Sequence, residues 1–594
     1  MKLVIVESPN KVRKIKDFLG AAYRVAASFG HVRDLPAAGG LSVEFKDGKI
    51  FPVYAALERS ARHVKELVDL AAKADEVILA TDPDREGEAI AWHVSKLLGE
   101  RKYSRVVFHA VTKADVQKAM QKPRPIDQNL VDAQQARRVL DRVVGWVVSP
   151  TLRKVSKDAR SAGRVQSVAL RLVAEREKEI GKHNTVDYFV LSAKLEKSGS
   201  PPPFAAKLVT WKDHPLGQRL RDPALAEKTV AWAKTVPWKV LSCDRRDSSR
   251  NPPPPFTTAT VQQAASVRLG FNPDATMKHL QSLFEDGKIT YHRTDSTALS
   301  PEGVAEARAV IKKEFPPEYL PKSPVVHATK AANAQEAHEA IRPTHAETGP
   351  DGIGGDAGRL YKLIWQRFIA CQMAPGRDQI TTIDVACDPG GWKTEKGVSV
   401  PMGIFQAKGK VLLFDGWRRL SGEDATEETK KKGAKGAEEL DDDESDGELP
   451  MLNPGDPLNL LSLDALKRST KPPPRYTQAS LIKKLEAEGI GRPSTYAAIM
   501  RVILERGYVK EEKRKLHATP LGLSASDFLV RHYSGNFIDM DYTRRLEDDL
   551  DKISRGEASW EKVVTEASFA VIALARGAGL WYDPLVPYKP KAKP

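Results

Sequence analysis

The amino-acid sequence predicts a multidomain protein of the α/β plus α+β class. The chain has 594 residues, which is more than one hydrophobic core organises. Two short apolar runs near the amino terminus each end in acidic residues and precede a helical pattern, which is typical of buried parallel strands in an α/β unit. Later segments that alternate apolar and polar residues indicate an antiparallel sheet, and paired helical segments indicate helical modules.

The α/β unit is predicted from the runs Lys2–Val6 and Glu76–Thr81. In open α/β sheets, functional sites lie beyond the carboxyl ends of the strands, so residues that follow the two runs are expected to converge. The acids at these two ends are Glu7, Asp82, Asp84 and Glu86. Acids this close repel one another unless they share a hard cation such as Mg²⁺, which binds a few carboxylates and keeps waters or phosphate oxygens. The pattern favours a metal site over an acidic turn that only caps a helix.

An arginine-rich helical stretch from Asp132 to Ile180 is predicted next. Residues four positions apart share a helix face, so Arg137 aligns with Asp141 and Arg138 with Arg142. A solvated helix with local ion pairs and a basic surface for a phosphate backbone are both compatible with this pattern.

A β-rich region and a charged insertion follow. Alternation in Val186–Val240 predicts strands of an antiparallel layer, which continues in Ile380–Phe414. The proline runs Pro252–Pro255 and Pro472–Pro474 predict stiff connectors. Residues 421–449 are charged and nearly free of large apolar residues, so they are predicted to form a disordered insertion.

An internal repeat predicts two related helical modules. The segment Phe256–Val261 resembles Tyr476–Leu481, and each is followed by a helix, a turn and a second helix that ends at Gly287 or Gly507. The distance from the shared threonine to the closing glycine is 30 positions in both copies. This arrangement is expected of winged-helix-like DNA-binding modules, although two-helix units are common in proteins of other functions.

Both modules carry residues suited to phosphate. Tyr291 lies two positions before Arg293 in the first module. A phenol is a weak nucleophile, and a guanidinium matches phosphate oxygens, so the pair is expected where a phosphodiester is transferred to a protein side chain. A packing role for the tyrosine is the alternative. In the second module Arg492, Ser494 and Thr495 stand at a predicted helix N-terminus, which binds anions.

Composition favours a nucleic-acid partner. The net charge is +15, and the segment Glu423–Glu448 holds 12 acids and 4 lysines, so the rest of the chain carries +23. The 3 cysteines form no Cys-x-x-Cys pattern, which suits a reducing compartment and excludes a cysteine-rich zinc ribbon. No signal peptide, membrane-length apolar run or nucleotide-binding phosphate loop is present. We therefore expect a cytoplasmic protein that binds DNA and needs no nucleotide.

Motifs in order along the chain resemble those of the type IA DNA topoisomerases, and within them the bacterial topoisomerase I branch. The matching motifs begin at Glu7, Gly30, Asp82, Ala136, Ser161, Gly287, Ala334 and Gly489. Two departures are His292, where relatives often have Met or Pro, and Phe108–Thr112, which lacks a carboxylate found in the family. The resemblance is to a form that lacks the C-terminal zinc-ribbon modules of many relatives.

The resemblance implies four domains arranged as a toroid. They are a Toprim domain at 1–118, a helical strand-binding domain at 119–183 and 475–594, a β-rich hinge domain at 184–251 and 380–474 with the insertion 421–449, and a catalytic-tyrosine domain at 252–379.

The implied activity is ATP-independent relaxation of negatively supercoiled DNA by a monomer, through single-strand cleavage, a 5′-phosphotyrosine, strand passage and religation. The implied catalytic residues are Tyr291, Glu7, Arg293 and Lys11, and the implied Mg²⁺ ligands are Asp82, Asp84, Glu86 and Glu7. The implied DNA contacts are His31, Arg33, Arg137, Arg138, Asp141, Arg164, Gln166, His338, Arg342, Arg492, Ser494 and Thr495. Alternatives are a topoisomerase III-like decatenase, another Toprim enzyme such as a primase or nuclease, and a non-catalytic single-strand-binding protein on the same scaffold.

Overall fold

The computed structural model describes most of the chain. The described residues are 1–36, 40–99, 101–153, 157–158, 161–212, 214–215, 220–327, 339–421 and 445–580. His338 and most of the predicted insertion lie outside them. Among the helices of the described part, none has the length and apolar character needed to cross a lipid bilayer.

The amino-terminal unit is built on a parallel sheet. In chain order its elements are β1 Lys2–Val6, α1 Pro9–Leu19, β2 Tyr23–Ala27, β3 Arg33–Asp34, β4 Val43–Lys46, β5 Lys49–Pro52, β6 Ala55–Ala56, α2 Ala61–Ala72, β7 Glu76–Leu79, α3 Arg85–Leu98, β8 Tyr103–Arg105 and α4 Lys113–Met120. The sheet order is β2-β1-β7-β8, with all three pairings parallel. The two apolar runs are its buried central strands, β1 and β7, so this part of the fold prediction is confirmed.

The arginine-rich stretch forms two helices instead of one. They are α5 Gln128–Leu152 and α6 Arg164–Lys182. Pro150 lies in the last turn of α5 and has no N–H for the helical ladder, while Gly163 is the N-cap of α6. Both helices pack into one large apolar core with the carboxyl-terminal helices.

The alternating segments form one sheet, which is antiparallel except for the short parallel pairing of its last two strands. Its unit contains β9 Asp187–Lys197, β10 Ser200–Trp211, β11 His214–Pro215, α7 Pro223–Ala233, β12 Trp238–Arg250, β13 Gly376–Cys387, β14 Trp392–Lys393, β15 Ser399–Val400, β16 Gly403–Phe414, β17 Ser445–Asp446 and β18 Pro457–Ser469. The strand order is β11-β10-β9-β18-β12-β13-β16-β17 in the described residues, and an added pairing of β10 with β16 closes six strands into a ring. The predicted antiparallel layer is confirmed.

The end of the predicted insertion is ordered, which corrects the prediction for residues 445–449. Strand β17 pairs with β16, and Leu449 is 5% exposed in the core of the sheet. A Cβ at Gly409 would lie 2.6 Å from the Leu449 side chain. One leucine beside a small partner anchors a segment that its charged composition alone does not reveal.

The predicted repeat is visible in the helices of two units. The tyrosine unit contains α8 Thr258–Arg268, α9 Pro273–Glu285, α10 Pro301–Glu314 and α11 Gly355–Ala370. The carboxyl-terminal unit contains α12 Gln478–Ala487, α13 Tyr496–Glu505, β19 Val509–Glu512, β20 Lys515–Ala518, α14 Pro520–Tyr533, α15 Met540–Ser554 and α16 Trp560–Gly577.

Both copies of the repeat begin with the same cap. Thr257 and Thr477 each form a reciprocal capping box with the residue three positions on. The copies differ after their second helix. The carboxyl-terminal copy continues into the hairpin β19–β20, whereas the tyrosine copy has the isolated bridges Ile289–Pro343 and Phe256–Ile341 in the described residues.

Candidate active site and nucleic-acid interface

The carboxyl edge of the parallel sheet brings together acids from two strands. Glu7 follows β1 and Asp82 is close behind β7, and the backbone N–H of Asp82 donates to Glu7 Oε2 at 3.0 Å. Lys11 lies one helical turn beyond Glu7, is fully buried, and contacts both carboxylates with its ammonium group. The two strand ends therefore meet, with a lysine between them.

Burial and charge together set the protonation of this edge. Burial disfavours the charged form of Lys11, but the carboxylates of Asp82 and Glu7 outweigh it and raise the pKa of Lys11 above its ordinary value. Burial and the neighbouring Glu7 carboxylate raise the pKa of Asp82 to about 7, and Lys11 offsets only part of this effect. The edge is thus able to exchange a proton near neutral pH.

Two further acids lie at the start of α3. Asp84 caps the helix, because its Oδ1 accepts the N–H of Gly87 at 2.8 Å. A Cβ at position 87 would lie 2.2 Å from the carbonyl oxygen of Asp82, so this turn needs glycine. Glu86 pairs with His31 Nε2 at 2.5 Å. Burial opposes ionisation of Glu86, but His31 outweighs it and holds the pKa of Glu86 at about 2.

Tyr291 reaches this edge from the tyrosine unit. It is 1% exposed, and its backbone N–H donates to the carbonyl of His109 at 2.8 Å, which ties it to the amino-terminal unit. The close approach of this segment to the amino-terminal unit depends on Gly287, which has a φ of +59°. A Cβ at this position would lie 2.2 Å from the carbonyl oxygen of Val111. The tyrosine therefore belongs to an irregular segment that is held against the amino-terminal unit.

The phenol of Tyr291 is held in its neutral form. Burial raises its pKa well above the ordinary value, the Asp84 and Asp82 carboxylates add to this effect, and Arg293 opposes it. Nη1 of Arg293 lies 3.5 Å from Asp84 Oδ2. Burial disfavours the guanidinium charge of Arg293, but the surrounding acids outweigh it and raise its pKa. The predicted nucleophile, a fixed cation and the acids thus meet at one point.

A cleft of about 360 Å³ extends from this point towards α5 and the start of α13. Its lining residues are Asp84, Arg85, Glu86, Gln134, Arg137, Arg138, Asp141, Arg293, Asp295, Pro493, Ser494 and Thr495. Eight of these 12 were predicted as catalytic, metal-binding or DNA-binding residues from the sequence. The cleft therefore joins residues that the chain places some four hundred positions apart.

A buried charge network supports one wall of the cleft. Glu547 on α15 is fully buried and ion-pairs with Arg164, and Arg492 donates to Asp551 at 2.6 Å. The second carboxylate oxygen of Asp551, Oδ1, accepts a hydrogen bond from Arg85 at 3.1 Å. Burial opposes ionisation of Glu547, but its arginine neighbours lower its pKa below the usual range. Two of the predicted DNA contacts, Arg164 and Arg492, thus serve this network in the present conformation.

The remaining predicted contacts lie outside the cleft lining. Arg33 faces two rings, with its guanidinium 5.7 Å from Tyr54 and 5.8 Å from Trp92. Gln166 lines a separate small pocket beside α6. Arg342 donates to Glu339 at 2.5 Å within the tyrosine unit. These positions leave their DNA roles as predictions.

Sequence reasoning missed several residues that shape the site. The missed lining residues are Arg85, Gln134, Asp295 and Pro493, and the missed buried acids are Glu547 and Asp551. Two signals were available. Gln134 is three positions before Arg137 on the same helix face, and Glu547 and Asp551 are four positions apart on one face of α15.

The predicted metal ligands are engaged by protein cations. Among the described residues, no three acidic, imidazole or thiol side chains are grouped closely enough to hold a metal ion. The cations in contact with the four acids are Lys11, Arg293 and His31. The acids nevertheless supply only hard oxygen donors, which are the ligands that Mg²⁺ prefers. The donor set fits Mg²⁺ once its side chains turn away from these cations.

Comparison with known proteins agrees with this architecture. A family model described as DNA topoisomerase matches residues 125–565, and a Toprim-domain model matches residues 2–111. The DNA topoisomerase 1 of Zymomonas mobilis is 40% identical over 580 residues, which cover 95% of this chain and 45% of that protein. The plasmid DNA topoisomerase I of Xylella fastidiosa is 42% identical over 585 residues, which cover 95% of this chain and 82% of that protein.

A solved structure has a similar fold. Full-length topoisomerase I from Thermotoga maritima matches with a TM-score of 0.78 and 32% identity, covering 96% of this chain and 90% of that one. The family model spans most of the chain, and the Xylella relative aligns over most of its own length. The chain therefore belongs to the bacterial topoisomerase I branch of the type IA DNA topoisomerases, with a Toprim domain at its amino terminus.

Proposed function

We propose that this chain relaxes negatively supercoiled DNA without a nucleotide, acting as a cytoplasmic monomer that cuts and rejoins one strand. The observation that carries the proposal is the position of Tyr291, buried between Arg293 and the acidic edge that holds Glu7 and Lys11. A phenol fixed beside a guanidinium and a buried ammonium is arranged to attack a phosphodiester, because both cations offset charge on the phosphoryl oxygens.

In the cleavage step the phenolic oxygen of Tyr291 bonds to phosphorus and the bond from phosphorus to the 3′-oxygen breaks. The phenolic proton passes to Asp84, which interacts with the phenol. The proton that the leaving 3′-oxygen takes up comes through Glu7 from Asp82, whose pKa is about 7. The products are a 5′-phosphotyrosine and a free 3′-hydroxyl. Religation reverses each transfer, so the bond energy is conserved and no nucleotide is consumed.

The Toprim domain is a Mg²⁺-binding fold, and Asp82, Asp84 and Glu86 would hold the ion here, with Glu7 beside them. The ion would position the phosphodiester and neutralise its charge during religation. Lys11 and Arg293 share these acids in the present arrangement, so they keep the carboxylates together when no ion is bound.

In this proposal the single strand binds in the cleft and extends from there to Tyr291. Arg137 and Arg138 lie on the α5 side, and Ser494 lies at the opposite N-terminus of α13. The lining guanidinium nitrogens Nη1 of Arg85 and Nε of Arg293 are buried and donate to no acceptor among the described residues. Phosphate oxygens of a bound strand would supply the missing acceptors.

Strand passage requires the tyrosine unit to leave the amino-terminal unit. Besides the contacts of Tyr291 with His109 and of Arg293 with Asp84, side chains of α1 bind the end of α9. Asn10 Nδ2 donates to Glu285 Oε2 at 2.7 Å, and Lys14 Nζ donates to Asp286 Oδ1 at 3.2 Å. Opening at this interface would carry the 5′-phosphotyrosine away from the 3′-hydroxyl and leave a gap for a second strand.

The test is incubation with negatively supercoiled plasmid and Mg²⁺, without ATP, followed by gel separation of topoisomers. The wild type is expected to produce a ladder of relaxed forms. The matched control is Tyr291→Phe, which keeps the ring and lacks the nucleophile, so it should bind labelled single strands normally and form no covalent adduct on a denaturing gel. An adduct formed by this variant would show that another residue is the nucleophile.

A further inference from the structure

Phe29 occupies a backbone conformation that a bulky residue rarely adopts. Its φ is +58°, in the left-handed region where a side chain meets the backbone and strain results. The residues on either side of it bond to the end of β1: Ser28 N–H donates to the Val6 carbonyl at 2.8 Å, and Gly30 N–H donates to the Glu7 carbonyl at 2.9 Å. The strained residue therefore stands directly beside the strand end that carries Glu7.

The ring of Phe29 is displayed to solvent. Its exposure is 49%. One face lies on the imidazole of His63 in α2, with ring centroids 3.9 Å apart and planes inclined by 21°. His63 Nδ1 makes no hydrogen bond within the described residues, so the imidazole contacts Phe29 through its ring face. A stack this close to parallel leaves the opposite face of Phe29 open to a third ring.

The surroundings of the stack suit a nucleic-acid strand. Arg59 and Arg62 are exposed and lie within four positions of His63. The loop that starts at Phe29 leads to Asp34, which binds Arg138 of the cleft through two bonds of 2.7 and 2.8 Å. Proteins bind single strands by combining basic groups with aromatic rings on which bases stack. The loop that carries Phe29 thus connects the catalytic edge to Arg138 of the cleft.

We propose that Phe29, supported by His63, is a stacking platform for an unpaired base of the DNA strand next to the scissile phosphate. The inference rests on the proposed function, because it assumes that a single strand reaches Glu7 and Tyr291. A ring held only for packing would be buried, and glycine or asparagine would occupy this backbone position without strain. A strained conformation that presents one aromatic face is explained by a ligand that uses the face.

The first measurement is the affinity for a fluorescein-labelled single-stranded oligonucleotide that contains one mapped cleavage site. Phe29→Leu keeps an apolar side chain without a π-face and should weaken binding roughly tenfold. Phe29→Trp should bind as the wild type does. The matched control is Phe569→Leu, because Phe569 on α16 is similarly exposed at 44% and lies away from the catalytic edge. Equal affinities of the Phe29→Leu variant and the wild type would overturn the proposal.

The second measurement locates the base. Oligonucleotides with one abasic position at a time should reveal a position where the wild type and Phe29→Leu bind equally, since the stacking partner is gone. Phe29→Asn should weaken binding while the melting temperature stays equal or rises, because asparagine tolerates the left-handed backbone. A lower melting temperature with unchanged affinity would show a packing role instead.

Adduct formation by the wild type on the same oligonucleotide separates this inference from the proposed function. If the wild type forms no covalent adduct, the proposed function fails. If the adduct forms and abasic substitution never removes the effect of Phe29→Leu, the platform alone is refuted.

Discussion

Arg105 is expected to hold in place the backbone that carries the acidic edge, and replacing Arg105 tests this role. Arg105 at the end of β8 is fully buried. Its guanidinium donates to the carbonyls of Thr81 at 2.9 Å and Asp82 at 2.7 Å, and its Nε donates to Glu88 at 2.9 Å. It thus fixes the backbone of the turn that leads from β7 to the acids at the start of α3.

Arg105→Met should lower the free energy of unfolding by about 2–6 kcal/mol. The carbonyls of Thr81 and Asp82 lose a charged donor, and each unsatisfied group contributes roughly 1–3 kcal/mol. Arg105 also donates to the carbonyls of Leu79 and Val106, and that of Leu79 keeps the Val106 N–H. Glu88 keeps its other partners, because Arg124 donates to both of its oxygens at 2.9 Å and the Asp127 N–H donates at 2.7 Å. The larger penalty of an unpaired buried carboxylate is therefore avoided.

Arg124→Met is the matched control. Arg124 binds the same carboxylate but does not contact the β7 turn within the described residues, and its side chain is 37% exposed, so its removal should change stability by about 1 kcal/mol or less. Thermal melting gives the melting temperature of each variant. Plasmid relaxation over a Mg²⁺ series gives the Mg²⁺ concentration that each variant needs. Arg105→Met should need more Mg²⁺ than Arg124→Met at a temperature where both are folded. Equal melting temperatures and equal Mg²⁺ requirements would refute the positioning role.

Two further predictions concern buried histidines. Both ring nitrogens of His292 lack a partner within the described residues and the side chain is fully buried, so His292→Leu should raise the free energy of unfolding by about 1–2 kcal/mol, and a lower melting temperature would contradict this. Burial, together with His31 and Arg33, lowers the pKa of His93 from 6.5 to about 3, so the unfolded chain takes up a proton before the folded chain does. Stability should therefore fall by up to a few kcal/mol as the pH drops from 6.5 towards 3, and His93→Phe should flatten this dependence in melts recorded between pH 7 and 5. Parallel curves for the variant and the wild type would show that other groups cause the loss.

Local periodicity was enough to predict the parts of the site that lie close to regular strands. The acids Glu7 and Asp82 follow buried apolar runs, and parallel strands place their carboxyl ends at one edge. The same reasoning did not reveal that Lys11 bridges the two acids, although its spacing from Glu7 is one helical turn. A lysine near acids in the sequence is equally consistent with an exposed ion pair and with a buried bridge until its burial is known.

Contacts between distant parts of the chain account for most of what the sequence did not show. Arg164 was assigned to DNA because its motif resembles that of the family, yet its side chain pairs in the core with Glu547, which lies 383 positions away. The helical pattern gives the face on which Arg164 lies but not the element that covers that face. The break between α5 and α6 was missed for a similar reason, because apolar spacing continues on both sides of it.

The burial of Tyr291 has a consequence for how the proposed enzyme controls its break. The tyrosine belongs to an apolar cluster that includes Val6 and Val111 of the amino-terminal unit and Phe284 of α9, and Lys11 lies over the Phe284 ring at 4.7 Å. Separating the two units exposes this apolar surface, so the open state is disfavoured while no strand fills the gap. In the proposed mechanism, the closed state also returns the phosphotyrosine to the acidic edge, where religation would take place. The contacts that hide the nucleophile therefore also favour rejoining, which keeps a cleaved strand from persisting as an open break.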